Sequence, residues 1–238
     1  QGKIAPAGDR AAQMAEARQW AITRYLPALM QGNALPPDQR AAIRTELSQH
    51  IGVSEDFIER ADLRVTPARF YKELLRDRGL TVGRLDSRYV GVDGDAAGEE
   101  PDNDPSFYGI DGGYTAAINA YARGTLNYQT DRSYVTIGGV GNWDWRLNAG
   151  RDSDTYMNVA PYISTAMREN SDLRIFVGQG WYDFATPFFA AEYALTRSGF
   201  PTDGRIQFHY YDSGHMMYIR DQDPAALSRD IRAFIRAR

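Results

Sequence analysis

Two short motifs near the end of the chain carry the residue types of a catalytic acid–base pair. Asp183 ends the run Trp-Tyr-Asp at 181–183, and His215 stands in the run Gly-His-Met-Met-Tyr at 214–218. A carboxylate that accepts from the Nδ1–H group of an imidazole fixes the ring tautomer, and Nε2 can then take a proton from a serine hydroxyl. Imidazole suits this exchange because its charge changes near neutral pH. The two motifs therefore predict the acid and the base of a catalytic triad.

The serine of such a triad is missing from this sequence. No Gly-x-Ser-x-Gly segment, which would place the nucleophile on a sharp strand-to-helix turn, occurs between Gln1 and Arg238. Ser213 does not replace it, since its context is Asp-Ser-Gly-His. In α/β-hydrolases the triad follows the order Ser, acid, His along the chain. We therefore expect the serine in an N-terminal portion of the same protein, which would be the partner of this chain.

Plainer roles for both residues stay open. A single loop histidine is more often structural or exposed, and an aspartate before a helix usually caps it. Thr186 is better placed than Asp183 to cap the helix that follows. The other two histidines have simple explanations, because His50 lies near a predicted helix C-terminus and His209 lies within a predicted strand. His215 alone occupies a Gly-His turn between the last strand and the last helix.

The elements around the two motifs predict that they lie together. Helix patterns over 162–170, over 187–198 and from Pro224, which Asp223 would cap, alternate with strand patterns over 173–177 and 206–210. Such alternation predicts the α/β class with a parallel, doubly wound sheet. The last helix has an apolar stripe that would lie on the sheet, formed by Leu227, Ile231, Phe234 and Ile235. Functional side chains in open parallel sheets stand just past the carboxyl ends of strands. Asp183 and His215 each follow a strand by a short loop, so both are expected on the same rim.

The chain divides into three predicted regions. Residues 1–92 are expected to form a helical lid or insertion, residues 93–160 an acidic loop and a return to the core, and residues 161–238 the C-terminal part of the core. Helices are predicted over 9–30, from Pro36-Pro37 toward Gly52, from Ser54, and from the cap Thr66 with Pro67 toward Gly79, followed by an extended stretch over 83–92.

The acidic loop has two interpretations. Six acidic residues fall close together with glycines and a proline: Asp93, Asp95, Glu99, Glu100, Asp102 and Asp104. Asp93, Asp95 and Gly98 fit the first, third and turn positions of a calcium loop. Ala97 occupies a ligand position, however, and Asp104 stands where the closing glutamate belongs. A solvated loop is therefore favoured, and no metal or other cofactor is predicted.

The middle of the chain offers a candidate pocket. A helix is expected over 111–126 and a short strand over 134–137. Trp143 and Trp145 follow several glycines and flank an aspartate. Large aromatic residues belong to a core more often than to a pocket, but these two are kept as candidate substrate-binding residues.

Composition narrows the classes of partner. The chain has 27 basic and 31 acidic residues and a net charge of −4, which does not favour a nucleic acid or a membrane surface. No apolar run approaches the roughly 18 residues of a membrane span. The absence of cysteine excludes thiolate chemistry and disulfides. A small molecule or a peptide is the expected ligand.

Several segments resemble the serine carboxypeptidase family, peptidase family S10, in its bacterial branch. The similar stretches are 174–187 (Arg-Ile-Phe-Val-Gly-Gln-Gly-Trp-Tyr-Asp-Phe-Ala-Thr-Pro), 210–218 (Tyr-Tyr-Asp-Ser-Gly-His-Met-Met-Tyr), 114–118 (Tyr-Thr-Ala-Ala-Ile), 140–145 (Val-Gly-Asn-Trp-Asp-Trp) and 69–75 (Arg-Phe-Tyr-Lys-Glu-Leu-Leu). The resemblance covers essentially the whole chain. It implies an α/β-hydrolase fold with a helical lid, of which this chain is the C-terminal part.

The resemblance also implies roles for individual residues. Asp183 would be the triad acid, His215 the base, and Met216 a wall of the leaving-group pocket. Tyr182, beside Asp183, is kept as a further candidate substrate-binding residue. The nucleophile segment Gly-Glu-Ser-Tyr-Gly-Gly of the family has no counterpart here. The family further suggests a secreted or periplasmic location.

Three functions remain in competition. The leading one is a serine-type peptidase, in particular a carboxypeptidase that acts on peptides. An esterase or acyltransferase would use the same triad, and a hydrolase-fold binding protein would use none. Few strands are predicted, which would leave a sheet edge unpaired, so the chain is expected to fold together with its N-terminal portion.

Overall fold

Helices and two small sheets make up the described part of the chain. The computed structural model describes residues 2–4, 8–136, 138, 158–197, 199–201 and 203–237. The chain forms two units, Gln1–Pro105 and Ser106–Arg238. Among the described residues, none of the helices combines the length and the apolar character that crossing a membrane requires.

Short helices build the first unit around one apolar cluster. They are α1 (Arg10–Trp20), α2 (Leu26–Gln31), α3 (Pro37–Ile51), α4 (Glu55–Arg60) and α5 (Pro67–Glu73), with a π-helical turn over Ala21–Tyr25 between the first two. Ile58 is fully enclosed in the cluster, which also contains Ala28, Leu35, Ile43, Leu47, Val53 and Leu63. The predicted helical character of this region is confirmed.

Local capping explains where these helices begin and end. The Asp9 side chain accepts from the first backbone N–H groups of α1, and the Ser54 hydroxyl accepts from the Phe57 N–H of α4. Gly52 ends α3 with φ 73°, a conformation that glycine adopts without strain. Thr66 precedes α5 as predicted but contributes no side-chain cap, and α5 ends at Glu73, before the predicted stop.

Basic side chains hold the acidic loop onto the first unit. Lys72 is 1% exposed and forms an ion pair with Asp93, whose side chain is 4% exposed. The Lys72 Nζ also donates to the Asp95 carbonyl, and Arg76 donates to the carbonyls of Ala96 and Gly98. The prediction of a solvated loop is therefore wrong for Asp93. The apolar stem of Lys72 places its ammonium group in the interior, where the Asp93 carboxylate is buried beside it.

The calcium interpretation of this loop gains no support from its carboxylates. Asp95 Oδ1 accepts from the backbone N–H groups of Ala97 and Gly98, and Asp104 accepts from the Arg84 N–H. Within the described ranges, no three acidic or histidine side chains converge as a metal-binding group would. The carboxylates of the loop instead organise its backbone.

Two predicted extended stretches differ from the structure. The strands near 83–92 are β1 (Leu80–Val82) and β2 (Val90–Val92), which pair antiparallel across a turn. Residues 134–136 are not in a strand, and the Tyr134 and Val135 side chains are exposed, while the fourth residue of that prediction lies outside the described residues. The β-branched run alone did not specify a strand, since β-propensity depends on a partner to pack against.

The second unit contains a parallel strand pair between helices. The elements are α6 (Pro105–Ala120), α7 (Ala160–Glu169), β3 (Ile175–Gly180), α8 (Phe188–Arg197), β4 (Ile206–Tyr211) and α9 (Asp223–Arg236). A π-helical turn extends α6 to Thr125, so the helix predicted over 111–126 is present but begins earlier. β3 and β4 pair in parallel, with Gly180 opposite Tyr211 at the end of the ladder.

Helices cover both faces of this strand pair. On one face, Ile175, Ile206 and Ala194 of α8 pack against a buried cluster that contains Met167 of α7. On the other face, the Phe176 ring meets the Phe234 ring of α9 at 5.6 Å between centroids. The arrangement is what a parallel sheet requires, because its strands are buried on both sides. The α/β class and the doubly wound sheet stay predictions, since two strands do not define a sheet order.

Two details of the predicted last helix are corrected. Asp223 is the first residue of α9 and not its cap; its buried carboxylate accepts from Arg220. Ile235 is 66% exposed, so the predicted apolar stripe does not lie on the sheet over its whole length. The predicted division of the chain into three regions, at 92/93 and at 160/161, stays a prediction. The two units of the structure do not by themselves distinguish a lid from a core.

The buried ion pair leads to the first testable prediction. Lys72→Met should lower the free energy of unfolding of the first unit by about 3–5 kcal/mol, because it leaves the Asp93 carboxylate buried without its partner. Denaturant unfolding followed by the fluorescence of Trp20, the sole tryptophan of that unit, measures this loss. Lys3→Met is the matched control, since Lys3 pairs with the exposed Asp77. Equal losses in the two variants would contradict the assignment.

A second prediction concerns alkaline pH. Tyr211 is buried and donates to Asp230 Oδ2 at 3.1 Å, and burial together with this hydrogen bond raises the pKa of Tyr211 above its ordinary value. Above about pH 10 the unfolded tyrosine ionises while the folded one stays protonated, so stability falls as pH rises. Unfolding free energies between pH 8 and 11 should show wild type losing its advantage over Tyr211→Phe. A constant difference between the two would refute the linkage.

Candidate active site

The parallel pairing brings the ends of β3 and β4 to the same edge. The backbone bonding continues past the strands, because the Trp181 N–H donates to the Tyr211 carbonyl and the Tyr182 N–H donates to the Ser213 carbonyl, both at 3.0 Å. The loop after β3 is thus fastened to the loop after β4. These are the loops that carry the predicted acid and base.

Gly180 allows the two loops to approach closely. A Cβ atom at this position would overlap the carbonyl oxygens of Ser213 and Gly214. Backbone atoms cannot move aside as the end of a flexible side chain can. The absence of a side chain at Gly180 is therefore a condition for the contact between the loops.

Asp183 and His215 are in hydrogen-bond contact at this edge, as expected. Asp183 Oδ2 lies 3.0 Å from His215 Nδ1. The carboxylate side chain is 5% exposed, whereas the imidazole is 41% exposed. A buried acid thus orients a base whose ring remains accessible.

The loop of Asp183 fixes its carboxylate through further bonds. Oδ1 accepts from the backbone N–H groups of Ala185 at 2.8 Å and Thr186 at 2.9 Å. Oδ2 accepts from the Thr186 hydroxyl at 2.7 Å in addition to its contact with His215. Each oxygen therefore has two hydrogen-bond partners, which compensates the cost of burying the charge.

Thr186 has a different place from the one that its sequence position suggested. Its hydroxyl donates to Asp183 and lies 3.1 Å from His215 Nδ1, so its bonds go to the acid–base pair. Sequence reasoning assigned it to the cap of α8 and missed this contact. The spacing Asp-x-x-Thr was the available signal, because a side chain three residues after an aspartate can return to it in a tight turn.

The other predicted site residues are placed less specifically. Met216 follows His215 and Tyr182 precedes Asp183, and both are partly buried. Ser213 is 1% exposed, which removes it from access as a nucleophile. Trp143 and Trp145 lie outside the described residues.

An aromatic cluster packs α8 against the sheet beside the Asp183 loop. Trp181 stacks on Tyr210 with 4.5 Å between ring centroids and meets the edge of Phe188 at 5.0 Å. The Tyr210 hydroxyl donates to Glu192 of α8. This packing supports the Asp183 loop next to the strand pair, so the position of Asp183 does not depend on His215 alone.

The scan against family models gave no match, and neither the curated proteins nor the solved structures gave a significant one. The case for a function therefore rests on the residues and on their geometry.

The close approach at Gly180 gives a further prediction. Gly180→Ala should destabilise the second unit by about 1–3 kcal/mol and shift the ring resonances of His215, because the added methyl group forces the loops apart. Gly178→Ala in the same strand is the matched control, since its Cβ would meet the ends of the Phe176 and Met217 side chains at 3.3 and 3.4 Å. Chemical denaturation and NMR of both variants test it. Undisturbed His215 resonances in Gly180→Ala would disprove the role of this glycine.

Proposed function

We propose that this chain carries the acid and the base of a serine-type peptidase of the carboxypeptidase kind. The observation that supports the proposal most strongly is the 3.0 Å contact between Asp183 Oδ2 and His215 Nδ1. In this role Asp183 holds the ring and stabilises the imidazolium, and His215 takes the proton of the attacking serine through Nε2.

The surroundings of the pair favour catalysis over a structural role. A histidine that serves only to fill a core is enclosed, whereas the His215 side chain is 41% exposed beside a carboxylate that is 5% exposed. His209 differs from it in its packing, because the His209 ring stacks on Phe176 at 4.5 Å within the strand pair, is 30% exposed and has its nearest carboxylate oxygen, on Asp230, 3.8 Å from Nδ1. The accessible ring of His215 fits a residue that must reach a further group.

The serine is proposed to come from an N-terminal portion of the same protein. The motifs that resemble serine carboxypeptidases place the nucleophile before the lid region, and the triad order Ser, acid, His agrees with this. That portion would also supply most of the oxyanion hole. The same pair can serve ester cleavage or acyl transfer, so the substrate class is part of the test.

The test is the activity of the joined protein, in which this chain is combined with the N-terminal portion that carries the serine. The 238-residue chain alone should be almost inert, while the protein that includes the serine-bearing portion should hydrolyse a blocked dipeptide and react with a serine-directed phosphonate. His215→Ala should then lower kcat by a factor on the order of 10⁶. His209→Gln is the control, because His209 lies in the same unit and outside the pair.

The outcomes separate the alternatives. Hydrolysis of a simple ester without peptide cleavage would replace the peptidase with an esterase or acyltransferase. Equal rates for wild type and His215→Ala on both substrates would remove the case for a triad and would favour a binding protein.

A further inference from the structure

We propose that Thr186 is a positioning residue that fixes the tautomer of His215 together with Asp183. The inference deepens the proposed function and rests on it for its catalytic consequence. It concerns the three-way contact in which the Thr186 hydroxyl lies 2.7 Å from Asp183 Oδ2 and 3.1 Å from His215 Nδ1.

An inventory of protons determines the direction of these bonds. An ionised carboxylate can only accept, and a hydroxyl has one proton and two lone pairs. The Thr186 hydroxyl donates its proton to Asp183 Oδ2. The side of the hydroxyl that faces His215 is then a lone pair, so Nδ1 must carry a hydrogen to avoid facing two acceptors.

The consequence is a shared hydrogen bond. The Nδ1–H group has Asp183 Oδ2 at 3.0 Å and Thr186 Oγ1 at 3.1 Å, and both act as acceptors. The neutral ring then carries no hydrogen on Nε2, which is the state that a general base requires. The ring is 41% exposed, so few packing contacts hold it, and a second acceptor for Nδ1–H adds to the bonds that fix its orientation.

Thr186 also orients the carboxylate itself. Its backbone N–H donates to Oδ1 at 2.9 Å and its hydroxyl donates to Oδ2 at 2.7 Å, so one residue binds both oxygens of Asp183. This arrangement fixes the plane of the carboxylate relative to the ring. Removal of the hydroxyl alone should therefore affect both the orientation of the acid and the tautomer of the base.

Three variants of Thr186 and one control variant test the hydroxyl. Thr186→Val keeps the branched shape and the backbone bond to Oδ1 and loses only the hydroxyl, while Thr186→Ser keeps the hydroxyl. Thr196→Val is the control, because the Thr196 hydroxyl donates to the Glu192 carbonyl within α8. Thr186 is exposed, so the fold should tolerate the change, and Thr186→Ala provides a second test if valine is not accommodated.

The ring nitrogens of His215 give a readout that does not require turnover. With ¹⁵N-labelled histidine, in the 238-residue chain or, if that chain does not fold alone, in the protein that includes the serine-bearing portion, the ¹⁵N shifts of wild type and Thr186→Ser should show the Nδ1–H tautomer in large excess. In Thr186→Val the two nitrogen shifts should move toward each other as the Nε2–H tautomer becomes populated. In the protein that includes the serine, Thr186→Val should lower kcat about ten-fold with KM unchanged.

Unchanged nitrogen shifts in both Thr186→Val and Thr186→Ala, or a failure of Thr186→Ser to match wild type, would overturn the proposal. It would also be overturned if Thr196→Val changed the His215 nitrogen shifts as much as Thr186→Val does. If the shifts change as expected but the joined protein reacts with neither substrate nor phosphonate, the positioning role stands and the proposed function fails.

Discussion

The candidate site depends on the parallel pairing of β3 and β4. This pairing places the carboxyl ends of the two strands at one edge, with Gly180 opposite Tyr211, and two further backbone bonds join the loops beyond. An antiparallel pair would have sent the two loops to opposite ends. Every contact of Asp183 with His215 follows from this register, and the absence of a side chain at Gly180 allows the loops to come close enough.

The protein compensates two buried carboxylates in different ways. Asp93 in the first unit has a full opposite charge beside it on Lys72, so both groups are enclosed and neither is available to a ligand. Asp183 in the second unit has backbone N–H groups and the Thr186 hydroxyl in place of a cation. Neutral donors leave its negative charge free to act on His215. That difference is what separates a structural aspartate from one suited to catalysis.

The sequence predicted the parts of the structure that depend on local rules. The start of a helix at Ser54 and the placement of Asp183 and His215 after consecutive strands depend on short spacings and on the geometry of parallel sheets. Longer-range contacts could not be predicted in this way. The burial of Asp93 requires a lysine from α5, and the contact of Thr186 with Asp183 depends on a turn in which the Thr186 side chain returns to the carboxylate.

The central claim is that Asp183 and His215 act as one catalytic unit. The most direct test compares kcat for Asp183→Asn, His215→Ala and the double variant in a protein that joins this chain to the proposed serine-bearing portion. Once one member of a triad has been removed, removal of a second costs little more activity. The double variant should therefore be no slower than His215→Ala alone. Losses that multiply, with the double variant slower by the product of the two single factors, would contradict it.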